Sequence, residues 1–162
     1  MKTNVIKNFN DCTFIATREI PARISGVWRA FSESNLLDKW WAPKPWRCET
    51  KVMEFKPDGT WIYDMVGPRG ERSGSLQTFK EIIFEKKISG KDAFLDKYGK
   101  VREELPVSEF EILFTPMGEN TLITFLSKFK DKESLSLILE LGLEEGLDMA
   151  FDNLEELLLN MK

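Results

Sequence analysis

Acid–base chemistry in this chain has to proceed without histidine, because none occurs among its 162 residues. The commonest general base near neutral pH and the commonest metal ligand are thereby removed. His-containing triads, histidine-built zinc sites and histidine-ligated haem are excluded. The remaining bases are carboxylates and tyrosines, which need an environment-shifted pKa to serve. Glu54, Glu81 and Asp92 lie in stretches that read as strands and are the candidate inward-facing acids, with Arg18, Arg47 and Arg72 as candidate partners. Solvated strand charges and ordinary ion pairs are the competing reading for each. No nucleophile–base–orienter pattern is recognisable. No catalytic residue is therefore assigned, and the residues favour binding over catalysis. Cys12 and Cys48 are isolated and match no metal or redox spacing. They read as reduced thiols, with a bridge between them left open, and no metal or cofactor is implied.

The richer signal is aromatic. Five Trp and twelve Phe accompany a 42% hydrophobic composition. Side chains on a strand alternate between faces, so Trp61, Tyr63 and Met65 share one face while Ile62, Asp64 and Val66 share the other, nearer solvent. Phe110, Ile112 and Phe114 line a face together, as do Ile88 and Phe94. Trp41 and Trp46 flank the entrance to the sheet, near the expected cavity mouth, and Leu143 and Met149 are expected to look down from the closing helix. The candidate ligand-contacting residues are thus Trp41, Trp46, Trp61, Tyr63, Met65, Phe94, Phe110, Ile112, Leu143 and Met149. Filling of an ordinary core is the competing reading for any one of them.

These residues need a scaffold of strands followed by a helix. Cys12 to Ile20 alternates as a strand, Pro21 suits a first helical turn, and Ile24, Val27, Trp28 and Phe31 make a helical stripe. A second short helix runs through Leu36, Leu37, Trp40 and Trp41 to Pro43. The period then becomes two. Strands are predicted over Arg47 to Lys56, Thr60 to Val66, Ser73 to Ile82 (register ambiguous), Lys87 to Phe94, Val107 to Thr115 and Thr121 to Phe129. Short turns such as Pro57-Asp58-Gly59 join them into an antiparallel meander, and Asp96 to Pro106 is a polar connection.

Lys132 to Lys162 reads as one long helix with an apolar face of Leu135, Leu139, Leu143, Gly146, Ala150, Leu154, Leu157 and Met161. Gly142 and Gly146, four apart, bare one side of it. Close packing on the sheet is the favoured explanation, with ligand room the alternative. Leu147, Phe151 and Leu158 form a second strip that suits a loop or a dimer contact. The fold class is α+β, one domain over residues 12–161 after an N-terminal extension, 1–11.

The order of elements and the residues at its joints resemble the helix-grip superfamily of START domains, birch-pollen-allergen-like proteins and polyketide cyclases. The joints are Arg18-Glu19-Ile20-Pro21-Ala22 leading to Val27-Trp28, Asp38-Lys39-Trp40-Trp41-Ala42-Pro43, Phe55-Lys56-Pro57-Asp58-Gly59-Thr60-Trp61, Lys80-Glu81-Ile82 before Lys86-Lys87-Ile88-Ser89, and Gly142-Leu143-Glu144-Glu145-Gly146. Within that superfamily the chain is similar to the branch named after the C-terminal domain of the activator of heat-shock protein 90 ATPase. The resemblance implies a curved antiparallel sheet of about six to seven strands gripping a long C-terminal helix, with a small hydrophobic ligand between them. It also implies two alternatives, a chaperone-associated interaction module and a cyclase-like or hydrolytic enzyme.

The 23 basic and 27 acidic residues give a net charge of −4 with no basic stripe, so nucleic acid is not an expected partner. Nothing approaches the ~18 apolar residues of a membrane span, and no leader-like apolar run opens the chain. A cytoplasmic monomer or homodimer is expected. The closing helix has an acidic back, with Glu140, Glu144, Glu145, Asp148, Asp152, Glu155 and Glu156 and no Lys or Arg between Glu133 and Met161. A solvated face is the plain reading, and a basic protein surface is the sharper one.

Overall fold

A computed structural model describes residues 3–161. Eight antiparallel strands form one sheet in the order β1-β2-β8-β7-β6-β5-β4-β3. The strands are β1 (Asn4–Asn8), β2 (Thr13–Ile20), β3 (Arg47–Met53), β4 (Thr60–Val66), β5 (Arg72–Ile83), β6 (Lys87–Leu95), β7 (Ser108–Met117) and β8 (Asn120–Lys128). After β2 the chain crosses to the far edge through helices α1 (Ile24–Ser32) and α2 (Ser34–Trp40). It then meanders back until β8 pairs along the whole of β2, from Thr13↔Lys128 to Ile20↔Thr121. The curved sheet and its C-terminal helix are the expected α+β helix-grip architecture.

The strand count exceeds the six to seven expected. The added strand is β1, which lies in the residues assigned to an N-terminal extension and pairs with β2 through Val5↔Ala16. Its five residues carry too few apolar side chains to show an alternation. The ambiguous register of the fifth strand has a physical cause. A bulge between Phe79 and Glu81 shifts its pairing with β6, so inward Ser75, Gln77 and Phe79 are followed by a change of phase.

The closing helix is two helices, not one. Helix α3 (Lys132–Glu140) begins at Asp131, whose carboxylate accepts from Ser134 N at 2.8 Å. The chain then breaks at Gly142, which has φ +96°, and α4 (Leu143–Asn160) follows. Left-handed backbone is nearly free for glycine and costs other residues. The second apolar strip is core: Leu147, Phe151 and Leu158 are buried together with Ala150 and Leu154. Each large side chain of that set contributes roughly 1.5–3 kcal/mol by burial. Among the described residues no helix is long and apolar enough to cross a membrane.

Candidate ligand-binding cavity

Three aromatic side chains define one wall, and hydrogen bonds fix them. Asp38 on α2 accepts from Thr50 N at 2.9 Å and from Thr50 Oγ1 at 2.6 Å, and Thr50 Oγ1 in turn accepts from Trp61 Nε1 at 3.0 Å. Trp61 is thereby locked, and Tyr63 stacks on it with ring centroids 4.0 Å apart. Trp41, at the end of α2, donates its indole N–H to Tyr63 Oη at 3.0 Å. The tier therefore presents Trp41 and Tyr63 to the space between sheet and helices.

That space is a cavity of about 490 Å³, well within the size range of small-molecule sites. Of the ten sequence candidates, Trp41, Tyr63, Met65, Phe94 and Leu143 line it. The other five candidates stand off its wall. Trp61 and Ile112 border a separate void of about 10 Å³, and Phe110 is packed in the core. Trp46 packs beside Gly67. Met149 is 42% exposed, because at helical spacing it lies on the side of α4 opposite the buried stripe of Leu147, Ala150, Phe151, Leu154 and Leu158.

Both glycines of the closing segment line the cavity. A Cβ at Gly142 would meet nothing within 4 Å, and one at Gly146 would meet only Pro43 Cγ at 3.9 Å. They leave room; they do not allow close packing, which reverses the favoured expectation.

The sequence reading missed several lining residues. Ser75, Ser108, Phe125, Ser127 and Phe129 share the inward parity of neighbours already identified, so the alternation that placed Phe94 and Phe110 also reaches them. The connection between β6 and β7 gave no such signal. It folds over the strand ends because Asp96 accepts from the N–H groups of Tyr98 and Lys100 at 2.8 and 3.0 Å and Leu95 bridges to Val101. This places Arg102, Leu105 and Pro106 on the wall.

Of the three candidate acids, Asp92 alone faces inward. Glu54 is exposed, and Glu81 is exposed and held by Lys87 Nζ at 2.9 Å. Asp92 lines the cavity, and burial raises its carboxyl from 3.8 to about 7. It is partly exposed, not sealed. Burial also pushes the Tyr63 hydroxyl well above its ordinary value, and the charge of Asp92 adds to this. Gln77, the register partner of Asp92 across β5 and β6, is 3% exposed, and its Nε2 has no hydrogen-bond partner.

The candidate arginines serve elsewhere. Arg47 pairs with Glu49 at 3.2 Å, and Arg72 pairs with Asp64 at 2.9 Å and Glu49 at 3.0 Å on the outer face of the sheet. Asp64 was expected near solvent; it is 6% exposed and ion-paired there. Arg18 is buried beneath α4, bound to Asp148, Asp152 and Glu155. Cys12 and Cys48 are both free, and burial, reinforced by Asp38, pushes the Cys48 thiol up. No cluster of three or more metal-ligating side chains occurs among the described residues.

A curved sheet closed by a broken C-terminal helix over an apolar cavity defines a helix-grip domain. The sequence pattern of the family described as activator of Hsp90 ATPase homolog 1-like protein matches residues 21–159, and the chain belongs to that family. Protein Ms6760 of Mycobacterium smegmatis is 25% identical, with a TM-score of 0.90 over 98% of this chain and 97% of that one. A protein from Arthrobacter aurescens, solved by NMR, is 27% identical with a TM-score of 0.92, covering 97% of this chain and 91% of that one. Protein NE0264 of Nitrosomonas europaea is 28% identical with a TM-score of 0.78, over 93% and 96%. No curated protein matches the chain.

Proposed function

We propose that this protein binds a small, largely apolar molecule between its sheet and the α3–α4 helices. The observation that carries the reading is the cavity of about 490 Å³ into which Gly142 and Gly146 present no side chain. A ligand losing ~300 Å² of apolar surface gains on the order of 7 kcal/mol gross, and ordering costs bring the expected affinity to the micromolar range. Binding of the neutral fluorophore N-phenyl-1-naphthylamine tests this. Wild type should bind it with micromolar Kd, and Gly146→Leu, which fills the space beside Pro43, should weaken binding roughly tenfold or more while the circular-dichroism spectrum is retained. Unchanged affinity in that variant would remove the cavity from the account.

The two alternatives fare differently. The interaction-module reading rests on the family's name and the acidic back of the closing helix, and ion pairs tie up much of that acidity. Arg18 takes three of the carboxylates, Lys7 takes Glu144 and Lys44 takes Glu156. The enzyme reading gains an acid in the cavity, Asp92, but no hydrogen bond joins it to Ser73, Ser75, Ser108 or Ser127. An activated nucleophile needs such a bond.

A further inference from the structure

We propose that the cavity selects an apolar molecule carrying a protonated amine, and that Asp92 is the residue that holds it. The inference rests on the ligand-binding reading above and names the chemistry of that ligand. Among the described lining residues the charged side chains are Asp92 and Arg102. Arg102 is partly exposed, and its guanidinium pairs with Glu104 at 2.9 Å and makes no ion pair with Asp92. Among the described residues neither a hydrogen-bond donor nor a cation is paired with the Asp92 carboxylate, and its cross-strand neighbour Gln77 borders the smaller void with its Nε2 unpartnered. A carboxylate that lines an apolar cavity, only partly exposed and with no partner, is costly, and the group best suited to relieve it is a cation with several N–H donors.

The surroundings fit that cation better than a neutral or anionic group. An ammonium has three donors and no acceptor. Asp92 takes one, and the hydroxyls of Ser75, Ser108 and Tyr63 are oxygen acceptors on the same inward face of the sheet. Phe94 and Phe125 line the same space and are aromatic partners available to a cation. A carboxylate or phosphate would meet the Asp92 charge, and Arg102, the cation among the described lining residues, is already paired with Glu104. The remaining elements contribute no charge to the wall: α2 offers Trp41, α3 Ile138, and α4 Leu143, Gly146, Leu147 and Ala150.

The test compares 4-phenylbutylamine with 4-phenylbutan-1-ol, matched in length and ring, by titration calorimetry on the full chain. Wild type should bind the amine roughly tenfold or more tightly at pH 8, the range of a charge-assisted hydrogen bond. That preference should shrink toward pH 6, as Asp92 takes up a proton near its folded pKa of about 7. Asp92→Asn should bring the amine down to the affinity of the alcohol while leaving the alcohol bound, which also shows the variant folded. Equal binding of the two probes to wild type would overturn the amine assignment and leave the ligand-binding reading standing. Tighter binding of the alcohol at pH 6, with no amine preference at pH 8, would make Asp92 a neutral donor and overturn it as well. Binding of neither probe would overturn both.

Discussion

An ionisable group inside an apolar cavity makes folding depend on pH, and Asp92 sets the sign. Its carboxyl ionises near 3.8 when unfolded and at about 7 in the folded chain. Between those values the native state holds a proton that the unfolded state has released, so the contribution of Asp92 to stability falls as pH rises from about 4 to about 7. Below that window the group is neutral in both states, and above it the penalty is constant. Asp92→Asn removes the window. The variant should match wild type near pH 4 and exceed it at pH 8 by an amount whose ceiling is roughly 4 kcal/mol. Urea unfolding of both proteins at the two pH values checks this, and the difference between them cancels the exposed acids whose pKa values are lowered. A variant no more stable at pH 8 would mean that the folded carboxylate is solvated or partnered. The inward orientation of Asp92 was readable, because it keeps the parity of Ile88 and Phe94. Its isolation was not, since strand alternation says nothing about whether Arg102 turns toward it or toward Glu104.

At the scale of elements, the two closing glycines predict opposite outcomes for the same substitution. Gly142 holds φ +96° between α3 and α4, so Gly142→Ala forces a side chain into left-handed backbone and should cost roughly 1–2 kcal/mol. Gly146 lies within α4, with its N–H bonded to Gly142 O at 2.8 Å and open space where a Cβ would stand. Gly146→Ala should therefore gain up to about 1 kcal/mol from helix propensity. Chemical denaturation of the two variants measures both signs. A single continuous helix, as the sequence suggested, would gain from both changes. The leucine stripe misled because Leu135, Leu139 and Leu143 keep helical spacing across the break, and a mid-helix glycine alone does not reveal its φ. The same physics separates what else was legible. Meander strands with clean alternation and turns such as Pro57-Asp58-Gly59 fell close to their observed positions, with Asp58 at φ +66°. The edge strand β1 and the bulge in β5 depend on pairing with distant strands, which no local pattern records.

For the molecule as a whole, the decisive joint is between β2 and α4, residues 130 to 137 positions apart. Arg18, 1% exposed, donates to Glu155 Oε2 at 2.8 Å, to Asp152 Oδ1 at 2.6 Å and to the backbone carbonyl of Asp148 at 3.2 Å. Its guanidinium also lies 6.0 Å from the centroid of the Phe151 ring. The partners are unequally placed: the side chains of Asp148 and Asp152 are half exposed, while that of Arg18 is sealed. Removing the cation and removing its anions should therefore differ. Arg18→Met puts an apolar chain of similar reach into the buried site and returns the carboxylates to water, so the loss should be modest, about 1–2 kcal/mol. The double change Asp152→Asn with Glu155→Gln keeps the charge buried while stripping most of its compensation, and should cost about 3–5 kcal/mol. Urea midpoints for the two variants decide the order, and a reversed order would mean that Arg18 reaches water when its partners are gone. The same asymmetry limits what the acidic back of α4 can offer a basic partner. Carboxylates committed to a buried arginine hold the helix over the cavity, and withdrawing them for a partner would loosen the helix that covers it.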